Sequence, residues 1–142
     1  MKQRVPVSQI MSKELITLNP KQSLYEAEKL FKKNNIRHIP VVENLKLLGM
    51  LSYSDLLKIS YADVDDSDEA EDTSVSTVVY DMFSIPQIMT KAPLTVNTET
   101  TIKEVVEILA QQSFHSIPVV DHDEIKGIVT TTDILNYLLE QY

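Results

Sequence analysis

The chain has 142 residues, of which 43% are hydrophobic, and it carries a formal net charge of -8 and no cysteine. This apolar content excludes a disordered protein and is sufficient for one domain or for two small halves that share a core, while the lack of cysteine excludes disulfides and thiolate metal sites. No run of about 18 apolar residues is present and the first residues lack the apolar segment of a signal peptide, so we expect a cytoplasmic protein that does not bind or cross a membrane.

Most of the net charge lies in one segment, residues 63–72, which holds seven of the 21 acidic residues. A run of like charges has little to bury, and it predicts a flexible, solvated linker at residues 63–76. The alternation of Asp63, Asp65 and Ser67 fits the early ligands of a calcium loop, but the glycine that such a loop needs at its sixth position is absent. The chain also lacks a basic stripe, which argues against nucleic acid as a partner.

In chain order, the first predicted elements are an extended piece around Thr17 and a helix that follows it. Ser23-x-x-Glu26 is the capping-box pattern, in which two side chains satisfy backbone donors at a helix start. Apolar residues then recur at helical spacing and predict one buried stripe. The stripe consists of Leu24, Ala27, Leu30 and Phe31.

Two β-branched runs come next, "IPVV" at residues 39–42 and "LLGMLS" at residues 47–52, and the polar stretch "ENLK" separates them. This pattern predicts a β-hairpin, in which Pro40 fits a strand edge or start because its missing N–H costs least there. A second helix is predicted from Ser52-x-x-Asp55. Its predicted buried side is Leu56, Leu57 and Ile59.

All of these elements occur twice. A shift of 78 positions aligns residues 7–64 with 85–142 without a gap, and 14 of the 58 aligned pairs are identical. The only two glycines, Gly49 and Gly127, are repeat equivalents, which indicates a backbone position that needs the absent side chain. We therefore predict an α/β (α+β) fold of two β-α-β-β-α repeats, residues 1–62 and 77–142, packed about a pseudo-twofold axis.

The second repeat carries the same signals in the same order. Thr95 marks its extended piece, Thr101-x-x-Glu104 its first helix, "DHDE" at residues 121–124 its hairpin turn, and Thr130-x-x-Asp133 its last helix. The residues predicted to be buried on its two helices are Ile102, Val105, Val106, Leu109, Ile134, Leu135, Leu138 and Leu139.

The segments "IPVV…GMLSYSD" and "IPVV…GIVTTTD", with "IMS" or "IMT" ahead of them, resemble the tandem cystathionine-β-synthase (CBS) domain pair, or Bateman module. The resemblance covers the chain except the acidic linker. It implies a stand-alone, non-enzymatic regulatory module, without a catalytic cofactor, that binds AMP, ADP or ATP in the cleft between the repeats. It also implies a homodimer formed through helix faces, with residues 134–139 contributing, and leaves the downstream protein unknown.

The resemblance further implies roles for individual residues. The aspartates Asp55 and Asp133 correspond to the ribose contacts, the hydroxyl residues beside them to the ribose-phosphate end, and Thr17 and Thr95 to the adenine side. Basic residues contributed by the partner repeat would hold phosphate, which pairs Asp55 with His115 and Asp133 with Arg37 and His38. The remaining expected contacts are Ile39, Pro40, Ser52, Ser54, Ser116, Ile117, Pro118, Thr130 and Thr132.

The residue chemistry by itself leaves alternatives open. A carboxylate suits two vicinal hydroxyls and a helix N-terminus suits a phosphate, but Ser52-x-x-Asp55 and Thr130-x-x-Asp133 are also plain capping boxes. Tyr53 stands where the second repeat has Thr131, and we expect it to narrow the first site. A receptor for cyclic di-AMP or S-adenosylmethionine, or a ligand-free interaction module, are the other functions that fit. No nucleophile-base pair or metal-ligand cluster supports an enzyme.

Overall fold

The structure is a computed structural model that describes residues 4–64, 80–113 and 115–142, without the side chains of residues 60–64. The described chain divides into two compact units. The first unit consists of Ile16–Asn44 and Leu48–Ala92, and the second unit consists of Met1–Leu15, Leu45–Leu47 and Pro93–Tyr142. The predicted linker, and with it the calcium-loop alternative, lies outside the described residues from residue 65 to its end.

The first unit is built around a hairpin of β1 (His38–Glu43) and β2 (Lys46–Ser52), which are neighbours in the sheet. Helix α1 (Leu24–Asn34) precedes the hairpin and helix α2 (Tyr53–Val64) follows it. A short helix α3 (Ile85–Ile88) leads into β3 (Thr90–Lys91), which pairs antiparallel with β2 in the register Gly49↔Lys91 and Met50↔Thr90.

The second unit has the same order of helix, hairpin and helix, but its short helix lies at the start rather than at the end. A 3-10 helix (Val7–Gln9) comes first, and then α4 (Ile102–Gln111), β4 (Ser116–Asp121), β5 (Glu124–Thr130) and α5 (Thr131–Glu140). Strands β4 and β5 are antiparallel, with Pro118 opposite Ile128 and a register shift between Val119 and Val120. Lys46 pairs with Glu124, so residues 45–47 belong to this unit. The predicted α/β repeat fold is thereby confirmed.

Each hairpin turns through two residues with a positive φ. These are Asn44 and Leu45 in the first hairpin and His122 and Asp123 in the second, with φ between 53° and 70°. Two successive left-handed residues are typical of a type I′ turn, whose twist matches that of the paired strands. The polar stretches between the β-branched runs were correctly predicted as turns.

The predicted extended pieces are confirmed as single-residue bridges rather than full strands. Leu18 pairs parallel with Val41, and Val96 pairs parallel with Val119. In each case two hydrogen bonds hold the bridge, and one of them is donated to the carbonyl of the strand proline, Pro40 or Pro118. Proline keeps this acceptor although it lacks an N–H, which explains why it is tolerated inside these runs.

Each unit has its own hydrophobic core. The predicted helix stripes supply four of the ten residues of the first core and three of the eight of the second, and most of the others come from the bridges and hairpins. The core of the first unit contains Leu18, Leu24, Ala27, Phe31, Ile39, Val41, Leu51, Leu56, Tyr80 and Ile85. The core of the second unit contains Val7, Val96, Ile102, Val105, Ile117, Val119, Val129 and Ile134.

The segment that opens each repeat packs in the unit built on the other repeat. Ser12 forms an antiparallel bridge with Ile128, and Met11 packs against the core of the second unit. Conversely, Met89 packs against the core of the first unit. Each methionine thus lies against the core of the unit built on the other repeat, and this exchange of segments has no counterpart in the sequence-based prediction.

The burial predicted for three residues of the second repeat is wrong. Leu135 and Leu139 are 54% and 72% exposed, and Val106 is exposed as well. On α5 the side that meets the core is formed by Ile134, Tyr137 and Leu138, at the i, i+3 and i+4 spacing of a helix face, so Leu135 and Leu139 point away from it. Within the described ranges, the helices are too short or too polar to cross a membrane.

The capping boxes at the starts of α1 and α4 are confirmed. The Thr101 amide donates to Glu104 Oε1 at 2.9 Å, and the Glu104 amide donates to Thr101 Oγ1 at 3.1 Å. The backbone hydrogen bond from Thr101 lowers the pKa of Glu104 from its usual 4.5. A carboxyl with a lowered pKa in the folded state stabilises the protein above its unfolded pKa, and this contribution is lost as the pH falls through the folded value.

We therefore expect Glu104→Gln to lower the melting temperature (Tm) more at pH 7 than at pH 3, because only the ionised carboxylate makes the stronger hydrogen bond. Thermal unfolding at both pH values measures this difference. Glu107→Gln, an exposed glutamate of the same helix outside the capping box, is the control. An equal loss of Tm at both pH values would contradict the prediction.

Candidate functional site

The start of α2 brings the predicted polar residues of the first unit together. The Ser52 amide donates to Asp55 Oδ2 at 2.9 Å, and the Asp55 amide donates to Ser52 Oγ at 3.1 Å. Ser54 Oγ lies 2.9 Å from Ser52 Oγ, so two hydroxyls are hydrogen bonded to each other beside the carboxylate. Asp55 and Ser52 are half-buried and Ser54 is exposed.

The start of α5 repeats this arrangement in the second unit. The Thr130 amide donates to Asp133 Oδ2 at 2.9 Å, and the Asp133 amide donates to Thr130 Oγ1 at 3.1 Å. Asp133 is half-buried and Thr132 is exposed. The two aspartates therefore have the same local geometry, as their repeat equivalence predicts.

Both aspartates are helix caps in this structure, which confirms the capping interpretation of the two motifs. Capping occupies only one carboxylate oxygen, however. Among the described residues, no hydrogen bond reaches Oδ1 of Asp55 or of Asp133. A carboxylate oxygen has two lone pairs, so each half-buried aspartate retains an acceptor for a further donor such as a hydroxyl.

The basic residues ahead of the hairpins lie beside the same helix starts. The Tyr53 amide donates to the Arg37 carbonyl at 2.9 Å, and the Thr131 amide donates to the His115 carbonyl at 3.0 Å. Arg37 and His115 are both exposed. Within each unit, a basic residue and a helix N-terminus therefore begin from neighbouring backbone positions, and a positive charge beside the positive end of a helix dipole favours an anion.

The apolar residues of the strand motifs are less accessible. Ile39 and Ile117 are fully buried in the two cores, and Pro40 and Pro118 are buried beside them. Ser116 is buried, whereas its equivalent His38 is half-buried. Because the side chains of the two isoleucines are buried in the cores, only their backbone atoms could contact a ligand.

Thr17 and Thr95 are both exposed and immediately precede the bridge residues Leu18 and Val96. Tyr53, expected to narrow the first site, packs its ring against Phe31 with centroids 5.6 Å apart. Its equivalent Thr131 donates a second hydrogen bond, at 3.3 Å, to the His115 carbonyl. The two units thus differ in how the first residue of the last helix is held.

One feature beside Thr95 was not predicted. Ala92 has φ 47° although Pro93 follows it, and Leu94 is 44% exposed. Their repeat equivalents differ, because Glu14 does not have a positive φ and Ile16 packs against the core of the first unit. Alanine carries no sequence signal for a left-handed backbone, so no pattern in the sequence indicates this difference.

No metal site is evident in the described part of the chain, where groups of three or more histidine, aspartate or glutamate side chains with suitable placement are absent. In each unit the structure thus shows a carboxylate with one open oxygen and a basic residue at the same helix start, and an exposed threonine ahead of the bridge residue. These groups fit the non-covalent binding of a polar molecule.

Comparisons with known proteins agree with this description. The CBS domain matches the chain twice, at residues 7–62 and 85–140. CBS domain-containing protein YhcV of Bacillus subtilis is 28% identical over 128 residues, covering 90% of this chain and 81% of that protein. Inosine-5'-monophosphate dehydrogenase of Korarchaeum cryptofilum is 30% identical over 123 residues, covering 86% of this chain but 22% of the enzyme. This chain spans less than half the length of several curated relatives.

Solved structures share the fold. The CBS domain pair of protein MJ0100, solved in complex with 5'-methylthioadenosine and S-adenosyl-L-methionine, has a TM-score of 0.76 and 26% identity, with 97% of this chain and 98% of that chain covered. CBSX2 of Arabidopsis thaliana, solved in complex with AMP, has a TM-score of 0.79 and 22% identity, with 96% and 98% of the chains covered.

Proposed function

The chain belongs to the CBS domain family, and we propose that it is a regulatory module that binds adenosine-containing compounds and has no catalytic activity of its own. The observation that carries this proposal is the MJ0100 domain pair, which is solved with two adenosine compounds and is matched over nearly its whole length by this chain. CBS domains also occur within enzymes such as inosine-5'-monophosphate dehydrogenase, which is consistent with a regulatory role beside separate catalytic domains.

Asp55 and Asp133 are the proposed ribose-binding residues. Each uses Oδ2 to cap its helix and keeps Oδ1 available to accept from a ribose hydroxyl. The exposed Thr17 and Thr95 are proposed for the adenine side, and Ser54 and Thr132 for the ribose-phosphate end. Arg37, His38 and His115 are proposed to attract a phosphate, since a basic side chain and the positive end of a helix dipole both stabilise an anion.

A ligand regulates such a module by shifting a conformational equilibrium. It does so only to the extent that it binds one conformation more tightly than another. We propose AMP, ADP or ATP as the ligand. S-adenosylmethionine, whose ribose carries no phosphate, is the second candidate because the MJ0100 domain pair is solved in complex with it. Cyclic di-AMP is a further alternative.

A protein-interaction module is the second proposed function, and the exposed apolar residues favour it. Leu135 and Leu139 lie one helical turn apart on α5 and are both more than half exposed. We propose that the protein forms a homodimer through this face in the cytoplasm. We also propose that it acts on a downstream protein, which is unidentified. The two functions are compatible, because they use different residues of α5: Thr132 and Asp133 in its first turn for the ligand, and the exposed Leu135 and Leu139 for dimerisation.

We expect one adenosine compound to raise the Tm of the protein selectively, because a ligand that binds only the native state stabilises it by mass action. The experiment is thermal unfolding with AMP, ADP, ATP, S-adenosylmethionine and cyclic di-AMP, and the stabilisation at 100 times the dissociation constant is about 2.7 kcal/mol.

GTP at the same concentration is the control for non-specific binding of phosphate. A Tm that is unchanged across the panel would contradict the ligand-sensing function and leave the interaction module as the supported one.

A further inference from the structure

Two methionines, Met11 and Met89, occupy equivalent positions in the segments that open the two repeats. The amide of each donates to the carbonyl of a fully buried residue four positions earlier, Val7 or Ile85, at 3.0 Å. Each methionine side chain also packs against the core of its own unit. The same backbone contact and the same kind of packing therefore hold one thioether in each unit.

The sulfur of each methionine lies in the space that a strand glycine leaves open. A Cβ at Gly49 would lie 2.5 Å from the Met89 sulfur, and a Cβ at Gly127 would lie 2.6 Å from the Met11 sulfur. Two atoms in contact cannot approach so closely, so the thioether takes the place of the missing side chain. An atom added to the sulfur has no room on the side that faces the strand.

Both thioethers nevertheless remain partly open to solvent. Met11 and Met89 are half-buried, whereas Met82 is 64% exposed and Met50 is 8% exposed. The oxidation of a sulfur follows its exposure, so an oxidant in solution can reach a half-buried thioether. Because the chain has no cysteine, its methionines are the only sulfur groups available to a peroxide.

We propose that Met11 and Met89 are a pair of oxidation sites, at which a peroxide converts the thioether to a sulfoxide and thereby loosens the opening segment of each repeat from the strand beneath it. The sulfoxide is polar and larger than the thioether, so it does not fit between the apolar core and the glycine. Loosening of these segments does not depend on which ligand the protein binds, so it is tested without one.

The oxidation is balanced with hydrogen peroxide as the only co-reactant. The sulfur lone pair attacks one peroxide oxygen, and an S–O bond forms as the O–O bond breaks. The proton on the transferred oxygen passes to the departing hydroxide, which leaves as water. The sulfur is oxidised, the peroxide is reduced, and methionine sulfoxide reductases can restore the thioether.

The first experiment treats the unsubstituted protein with hydrogen peroxide and locates each added oxygen atom by peptide mass spectrometry. We expect Met82 to be oxidised first, Met11 and Met89 next, and Met50 last, in the order of their exposure.

Amide hydrogen exchange of the oxidised protein then measures the attachment of the first opening segment. The Ser12 amide donates to the Ile128 carbonyl at 2.8 Å, and the Ile128 amide donates to the Ser12 carbonyl at 3.1 Å. We expect both amides to exchange at least about tenfold faster once Met11 is oxidised, because the bridge opens locally. The Val120 amide, which donates to the Val96 carbonyl of the same unit, is the control and should change less.

The second experiment compares unsubstituted protein with a Met11→Leu, Met89→Leu double variant. Leucine fills a similar volume and has no sulfur to oxidise. Oxidation is expected to lower the Tm of the unsubstituted protein by about 4–8 °C. The Tm of the double variant should not fall, although its Met82 is oxidised to the same extent. Met82→Leu, at the exposed position, is the matched control and should show the full fall.

Three results would overturn the proposal: Met11 and Met89 remain unoxidised when Met82 is fully oxidised, oxidation of both leaves the Tm unchanged, or the double variant loses as much Tm as the unsubstituted protein. If the double variant does not fold, the two single variants replace it, and each is expected to show about half of the fall in Tm. The exchange experiment needs no variant, and unchanged exchange of the Ser12 amide after oxidation of Met11 also overturns the proposal.

Discussion

Replacing Asp133 or Asp55 by alanine is expected to weaken the binding of an adenosine compound to the affected unit by at least about tenfold, since a hydrogen bond to a charged group contributes about 1.5–3 kcal/mol. The same substitution removes a helix cap, because Oδ2 of each aspartate accepts from the amide of residue 52 or 130 at 2.9 Å. The cost of losing the cap is about 1 kcal/mol, so the variant remains folded.

A matched control separates these two roles of the carboxylate. Glu104 closes a capping box of the same geometry at the start of α4, where no ligand contact is proposed. Glu104→Ala is therefore expected to lower the Tm by a similar amount and to leave the dissociation constant for AMP unchanged. Calorimetric titration and thermal unfolding of the three variants measure both quantities. If Asp55→Ala and Asp133→Ala behave like Glu104→Ala in both measurements, the aspartates only cap their helices.

Gly127→Ala is expected to lower the free energy of unfolding by about 1–3 kcal/mol, which is the range for overpacking a close contact. A Cβ at Gly127 would lie 2.6 Å from the Met11 sulfur and 2.8 Å from the Ser12 carbonyl oxygen. The methionine side chain is flexible, but the carbonyl is not free to move. It accepts from the Ile128 amide at 3.1 Å, while the Ser12 amide donates to the Ile128 carbonyl at 2.8 Å.

The substitution should therefore detach the opening segment of the first repeat from β5. Denaturant unfolding gives the free energy, and Lys126→Ala, an exposed neighbour on the same strand, is the control with an expected change near zero. Gly49 has the corresponding contacts, since a Cβ there would lie 2.5 Å from the Met89 sulfur and 2.7 Å from the Thr90 carbonyl oxygen, and Gly49→Ala should behave alike. Equal stability of the Gly127→Ala and Lys126→Ala variants would show that the close approach is not needed.

The sequence determined those features whose causes lie within a few neighbouring residues. A capping box needs a hydroxyl and a carboxylate three positions apart, and a hairpin needs two β-branched runs with a polar turn between them. Both signals lie close together in the chain, so Thr101 with Glu104, and Thr130 with Asp133, were correctly predicted. The recurrence of the motifs at a spacing of 78 residues indicated the CBS domain family and showed that each such feature occurs twice.

Only the tertiary structure decided which segment packs on which unit. The recurrence of Gly49 and Gly127 indicated two positions without room for a side chain, but it did not show that Met89 and Met11 occupy that room. Which segment packs on which unit depends on contacts between residues that are far apart in the chain. Such contacts leave no local pattern in the sequence. The exposure of Leu135 has the same origin, because contacts with residues far away in the chain decide which face of α5 meets the core.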